Sequence, residues 1–178
     1  MRLNILIGGK AGQGINKVSG IVSKILINQG YFIFNYRDYP SIIRGGHNFN
    51  VLSISDKEIS SHESKIDILI ALDELTKQIH KDEIKKNGII IDYKDFLRFG
   101  LNLNIALSGA LTKILGIPLK ILLAEVKKSL STNNKQSIIA ATTGYNSQSN
   151  KYHLKKLKNQ LSLMSGSQAV SIGAINSK

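Results

Sequence analysis

Hydrophobic and polar positions in the first third of the chain predict a βαβ unit. Residues 3–7 form a short apolar run that ends at Gly8-Gly9, which is typical of a buried strand. Between residues 18 and 26 the apolar positions recur at helical spacing, and Gly30 follows as a helix stop. The aromatic and β-branched run at residues 31–36 predicts a second strand. Such units form parallel sheets with right-handed crossovers.

The middle of the chain predicts an antiparallel addition and two more buried strands. Residues 49–55 and 58–60 flank Asp56-Lys57, which is a hairpin signal. Residues 67–72 and 88–92 are apolar runs of strand length. A helix between these two strands is expected to carry Leu75, Ile79 and Ile84.

Helical spacing dominates the remainder. One helix is expected over residues 106–115 and ends at Gly116, a second over residues 119–130 starts at Pro118, and a third covers residues 135–143. The predicted fold class is therefore α/β, with a Rossmann-like, mostly parallel sheet, an appended antiparallel hairpin and a helical C-terminal part.

Length and composition exclude several classes of protein. The 178 residues suit one domain, and 42% are hydrophobic, as in a protein with a real core. No window approaches 18 unbroken apolar residues and the N-terminus lacks the apolar region of a signal peptide, so we expect a cytoplasmic protein without membrane contact. The absence of cysteine excludes disulfides, cysteine-ligated iron–sulfur clusters and thiolate zinc sites.

The formal net charge of +12 has two interpretations. It is consistent with a polyanionic partner, either nucleic acid or the phosphate groups of a cofactor. It is better explained by the lysine-, isoleucine- and asparagine-rich composition that an AT-rich genome produces. Arginine-rich patches interleaved with aromatic residues, which favour nucleic-acid binding, are missing, so no nucleic-acid partner is expected.

A glycine-rich turn joins the first strand to the first helix. Glycines at residues 9, 12 and 14 allow the backbone to approach a phosphate, and the following helix presents free N–H groups. The order is neither that of a P-loop nor that of the dinucleotide fingerprint, since Lys17 occupies the place of the third glycine. A tight turn without a ligand, a phosphate-binding turn and a contact with a partner chain all remain open.

A second specialised segment covers residues 37–48. Arg44 offers a bidentate fork for phosphate or carboxylate, Gly45 and Gly46 permit positive φ, and His47 can titrate near neutral pH. The simpler interpretation is a structural turn. So many specialised residues in one loop favour a functional role.

Catalytic and metal-binding chemistry find little support. The G-x-S-x-G elbow is missing, and four histidines, at positions 47, 62, 80 and 153, lack ligand spacing, so no catalytic residue or metal ligand is assigned. Asp67, Asp73 and Asp92 lie at strand ends, where a carboxylate more often caps a helix or turn than performs chemistry.

Five segments in the same order resemble the gamma domain of the 2-oxoacid:ferredoxin oxidoreductases, in the form fused ahead of the alpha domain. They are residues 9–15, 39–48, 65–73, 104–111 and 134–145. Each motif alone is weak, but the ordered set spans nearly the whole chain. The resemblance implies candidate cofactor-binding residues at Gly9, Gly12, Gln13, Gly14, Ser41, Arg44, Gly45, Gly46, His47 and Asn48. Gly12, Gln13, Gly14 and Arg44 suit a coenzyme A diphosphate, whereas His47 and Asn48 hold the loop or touch a partner.

The resemblance also implies an enzyme that converts a 2-oxoacid to acyl-coenzyme A and passes electrons to ferredoxin. Thiamine diphosphate and iron–sulfur clusters are then expected on partner chains, the alpha and beta subunits, and the isolated chain is expected to be inactive. A stand-alone Rossmann-type nucleotide-binding module is the alternative, with Asp38 near the place of a ribose-binding acid. A basic nucleic-acid-binding protein is a third.

The expected domain division is a gamma-type domain over residues 1–150, a basic linker over 151–163 and the start of a truncated alpha, pyrimidine-binding domain over 164–178. Apolar residues between Val170 and Ile175 follow the basic linker, and such a patch usually has a partner surface. The alternative is a terminal helix that packs back on the same domain.

Overall fold

The computed structural model describes residues 1–39, 46–129 and 135–177. Its strands are β1 (Arg2–Lys10), β2 (Phe32–Asp38), β3 (His47–Ser55), β4 (Ile66–Ala71) and β5 (Ile84–Asp92). Its α-helices are α1 (Ile15–Asn28), α2 (Glu74–His80), α3 (Leu103–Ile114), α4 (Leu119–Ser129), α5 (Lys135–Asn146) and α6 (Gly166–Asn176). Two 3₁₀ helices cover Lys81–Glu83 and Tyr93–Asn102.

The five strands form one sheet in the order β2-β3-β1-β4-β5. β1 pairs in parallel with β4, and β4 with β5. β3 runs antiparallel to both β1 and β2, so β2 points in the same direction as β1 although the two strands are not neighbours. Four strands therefore share one direction, which confirms the predicted mostly parallel α/β sheet.

The antiparallel hairpin exists, but its position was predicted wrongly. β2 and β3 form it, with Phe32 opposite Ser55 and Asp38 opposite Phe49. β3 is therefore the second strand of the hairpin and not the first, and it also pairs with β1. Residues 58–60 form no strand. They contain a single apolar residue, whereas β3 buries all residues from 50 to 55 and therefore occupies the interior of the sheet.

Helices cover the two faces of the sheet unequally. α1, α3, α4 and α5 contribute to the main core, together with strand side chains such as Ile5, Ile7, Ile68 and Ile70. The alternate strand residues Leu6, Val51 and Leu69 point to the opposite face, where they form a smaller cluster. α2 lies over this second face, since a Cβ on Gly8 would meet Thr76 at 2.6 Å.

α2 carries Leu75 and Ile79 as expected, but Ile84 begins β5 instead, and the helix buries polar residues. Leu75 and Ile79 are 40% and 46% exposed, whereas Thr76 and His80 are 0% and 2% exposed. Asp73 caps the helix, because its Oδ1 accepts hydrogen bonds from the Thr76 backbone N–H at 2.9 Å and hydroxyl at 2.7 Å. The cap fixes Thr76 at the first turn of this seven-residue helix. Thr76 and His80, at positions i and i+4, therefore face the sheet together.

The helical C-terminal part is confirmed. α3 and α5 cross at backbone contact, since a Cβ on Gly144 would overlap the backbone of Ala106. Beyond α5, the basic segment follows the surface and is held by backbone bonds, among them Leu154 N–H to Leu115 O and Leu157 N–H to Gln29 O. α6 buries none of its residues. Within the three described ranges no helix combines the length and apolarity that a membrane crossing requires.

Candidate functional site

The glycine-rich turn between β1 and α1 is closed by its own hydrogen bonds. The backbone N–H of Gln13 donates to Lys10 O at 3.1 Å, and the Lys10 N–H donates to Gln13 Oε1 at 2.7 Å. Gly12 and Gly14 both have φ of 91°, a left-handed conformation that side chains rarely adopt. Gln13, proposed from sequence as a ligand contact, therefore uses its side-chain oxygen within the turn.

Gly9 and Gly12 differ in their surroundings. A Cβ on Gly9 would meet Leu72 at 2.8 Å and Gln13 Oε1 at 2.5 Å, so this glycine permits close packing on the end of β4. A Cβ on Gly12 would meet no atom of a described residue within 4 Å. With respect to the described residues, the turn is therefore open at Gly12.

Among the described residues, no side chain compensates the N-terminus of α1. Gly14 is the N-cap residue, no described side chain caps the helix, and its first turn contains no acidic residue. The partial positive charge of the helix and its free N–H groups therefore remain available to an anion.

Asn104, at the start of α3, lies against the same turn. Its Nδ2 occupies the space that a Cβ on Gly14 would need. Its Oδ1 is buried and finds no hydrogen-bond partner within the described residues. Sequence reasoning did not assign Asn104 to the site, because only the α3 packing brings it to residue 14.

The end of the second specialised segment lies directly beside the glycine-rich turn. Antiparallel pairing of β3 with β1 places His47 opposite Lys10 and Asn48 opposite Gly9. Paired residues in such a ladder have Cα atoms roughly 5 Å apart. The two segments singled out from the sequence thus meet at one edge of the sheet. Three candidate residues, Ser41, Arg44 and Gly45, lie outside the described residues, and Gly46 immediately precedes β3.

His47 contacts a second histidine that the sequence left without a role. Its Nε2 lies 2.8 Å from Nε2 of His80, on α2. Burial, and secondarily His80, lowers the pKa of His47 below its ordinary value. His47 is therefore mainly neutral at physiological pH.

The strand-end carboxylates have structural roles, as predicted for the group. Asp73 caps α2, and Asp92 accepts the Lys94 backbone N–H at 3.0 Å and pairs with Lys77 at 2.6 Å. Lys77 also contacts Glu74, and its hydrogen bonds to Asp92 and Glu74 raise the pKa of Lys77. Asp67 lies near the start of β4, where it accepts the Asn4 N–H at 2.8 Å. Across the described ranges no group of three histidine, aspartate or glutamate side chains is arranged to hold a metal ion.

Curated relatives match about half of the chain. A 2-oxoacid:ferredoxin oxidoreductase subunit alpha from a Sulfolobus species is 41% identical over 85 residues, which is 48% of this chain and 13% of that protein. The subunit alpha of the 2-oxoacid:ferredoxin oxidoreductase 1 from Sulfurisphaera tokodaii is 40% identical over 85 residues, 48% of this chain and 14% of that protein. The match thus spans about one seventh of the length of these relatives.

Solved structures show the same fold. The 2-oxoglutarate:ferredoxin oxidoreductase from Magnetococcus marinus, with 2-oxoglutarate, coenzyme A and succinyl-CoA bound, has a TM-score of 0.80 at 15% identity and covers 98% of this chain and 37% of its own. The gamma subunit of a keto/oxoacid ferredoxin oxidoreductase from Geobacter sulfurreducens has a TM-score of 0.70 at 18% identity, covering 82% of this chain and 95% of its own. The family model described as pyruvate ferredoxin/flavodoxin oxidoreductase matches residues 4–169, and the chain therefore belongs to this family.

Proposed function

We propose that this chain is the gamma-type component of a cytoplasmic, thiamine diphosphate-dependent 2-oxoacid:ferredoxin oxidoreductase. The enzyme would decarboxylate a 2-oxoacid oxidatively to acyl-coenzyme A. The chain would assist coenzyme A binding and subunit assembly without performing redox chemistry itself. Its family membership and its fold, shared with a gamma subunit, support this proposal.

The observation that carries the coenzyme A assignment is the meeting of the two signature segments. The glycine-rich turn offers an open backbone at Gly12 and an uncapped helix N-terminus. The pairing of His47 with Lys10 brings the end of the second segment to the same edge. Arg44 precedes His47 by three residues in the sequence, and we assign it to the same anion. Backbone amides, a helix N-terminus and an arginine fork are the groups that bind a diphosphate. The Magnetococcus enzyme, which shares the fold, has coenzyme A bound.

The redox centres would reside on partner chains. The sequence contains no cysteine, so it supplies no thiolate for an iron–sulfur cluster. Thiamine diphosphate and the clusters are assigned to the alpha and beta subunits, and ferredoxin is contacted only through them.

The C-terminal segment supports a role in assembly. In α6 the side chains of Val170 and Ile175 are 73% and 70% exposed, and the helix packs on no core. Large apolar side chains in this state favour a partner surface over a helix packed on its own domain. We therefore retain the division into a gamma-type domain at 1–150, a connecting basic segment at 151–163 and an alpha-type beginning at 164–178.

The geometry disfavours the alternative of a stand-alone Rossmann-type module. In that architecture the ribose-binding acid follows the strand adjacent to β1. Here β3 separates β2 from β1, and Asp38 lies at the end of the edge strand, where its Oδ2 accepts the Tyr36 hydroxyl at 3.1 Å. Two strand spacings, roughly 10 Å, then separate β1 from β2.

Isolation of the native complex tests the proposal. An affinity tag on this chain in the source cells should co-purify subunits with thiamine diphosphate and iron–sulfur clusters. The complex should reduce a viologen dye with a 2-oxoacid only when coenzyme A is present, and the purified chain alone should show no turnover. Robust turnover by the isolated chain, or a complex without these cofactors, would contradict the proposal.

A further inference from the structure

A histidine pair lies between the second signature segment and α2. His47 opens β3, and His80 closes α2, where it is 2% exposed. Their Nε2 atoms are 2.8 Å apart, and Nδ1 of His80 lies 3.0 Å from Oε2 of Glu83. Phe49 packs against both rings, with centroid distances of 5.8 Å to His47 and 4.9 Å to His80. The pair connects a half-exposed carboxylate to the segment beside the glycine-rich turn.

The chain of contacts determines where each proton lies when both rings are neutral. The Glu83 carboxylate only accepts, so His80 donates to it from Nδ1–H. Nε2 of His80 then carries a lone pair and accepts, which requires His47 to donate from Nε2–H. Nδ1 of His47 is left with a lone pair. Consistently, this nitrogen is buried and has no hydrogen-bond partner within the described residues.

The surroundings hold the His47 ring in place without offering another partner. Gly8 packs on it, since a Cβ there would meet the ring Cε1 at 3.1 Å. Lys10 is the cross-strand neighbour of His47 on β1. The charged groups that act on His47 are Asp73 at the start of α2, Asp38 at the end of β2 and Glu83, besides His80. The one hydrogen bond that its ring makes to a described residue is the bond to His80.

We propose that His80 and Glu83 are positioning residues that fix His47 as its Nε2–H tautomer and thereby hold residues 46–48 against the glycine-rich turn for an anionic ligand. The identity of that ligand as coenzyme A rests on the proposed function. The positioning itself follows from the two hydrogen bonds and from the burial of His80.

Nitrogen NMR of the full chain tests the tautomer directly. Long-range ¹H–¹⁵N spectra of the four histidines distinguish the two neutral forms, and a His47→Phe variant assigns the relevant signals. We expect wild-type His47 to be a single Nε2–H tautomer. His80→Leu removes its acceptor, so His47 should become a mixture, whereas His80→Gln retains an acceptor near the same position and should preserve the wild-type form.

A second pair of variants avoids the risk of misfolding in the core. The Glu83 side chain is 46% exposed, so substitutions there should leave the fold intact. Glu83→Leu should release the His80 tautomer and mix that of His47, and Glu83→Gln, which still accepts from Nδ1–H, should not. A wild-type His47 in the Nδ1–H form, or an unchanged tautomer in both leucine variants, overturns the inference whatever the ligand is.

Kinetics of the assembled enzyme test the consequence. The KM for coenzyme A should rise about two- to tenfold in the leucine variants, as expected for the loss of one neutral hydrogen bond, with kcat unchanged. In the glutamine variants the KM for coenzyme A should stay near the wild-type value. A KM equal to the wild-type value in all four variants overturns the link between the histidine pair and ligand binding. The NMR result decides the positioning role separately from the proposed function.

Discussion

Replacement of Gly14 by alanine should destabilise the fold more than the same replacement at Gly12. Both residues have φ of 91°, so each alanine adopts a left-handed conformation that costs about 1–2 kcal/mol. The space differs between the two positions. A Cβ at residue 12 meets no atom of the described residues within 4 Å, whereas at residue 14 it overlaps the Asn104 amide. Displacement of that packed side chain should add about 1–3 kcal/mol.

Urea unfolding of the full chain, followed by circular dichroism, measures these differences in the free energy of unfolding. The slope of that free energy against urea concentration should be the same for all variants. Gly20→Ala is the matched control, because residue 20 lies inside α1 with free space around it and alanine should stabilise the helix by about 0.5–1 kcal/mol. Asn104→Ala combined with Gly14→Ala should recover part of the added loss. Equal losses at residues 12 and 14 would refute the Asn104 contact, and no loss at either would refute the conformational argument.

Three further outcomes are expected. Arg44→Ala should weaken coenzyme A binding by the assembled enzyme by about 1.5–3 kcal/mol without affecting assembly, and an unchanged KM would contradict the assignment. Asp73→Ala should lower the free energy of unfolding by about 0.5–2 kcal/mol through loss of the α2 cap, whereas Asp73→Asn should retain most of it. Burial lowers the pKa of His47 in the folded chain, so its neutral form contributes fully to stability above pH 6.5, near the ordinary pKa, and this contribution falls as pH drops towards the folded pKa. His47→Phe should flatten this part of the profile of Tm against pH. A profile identical to that of the wild type would argue against this assignment.

Local patterns were sufficient to predict most elements of this fold. The apolar runs and helical spacings located β1, α1, β4 and α3 because each element buries a face with its own period. The positive φ of Gly12 and Gly14 and the caps at Asp73 and Asp92 also follow from residue chemistry at short range. The ordered signatures identified the family, which the match over residues 4–169 confirms.

What the sequence did not reveal depends on contacts between distant residues. Strand order is one example, since nothing local indicates that β3 enters between β1 and β2. The face of α2 is another: the apolar residues Leu75 and Ile79 stay exposed, and the helix capped by Asp73 turns Thr76 and His80 inwards. His80 reaches the site through the orientation of α2, and Asn104 reaches it through the packing of α3. For His80, the polar pair at i and i+4 was the one available signal.

The most direct test of the account is to determine which chain coenzyme A touches. A photoreactive coenzyme A analogue bound to the native complex can be cross-linked, and the labelled peptides can be identified by mass spectrometry. If this chain contacts coenzyme A, labelling is expected within residues 9–17 or 41–50, and excess coenzyme A and Arg44→Ala should both reduce it. Labelling confined to the partner subunits, with this chain unlabelled at saturation, would contradict it.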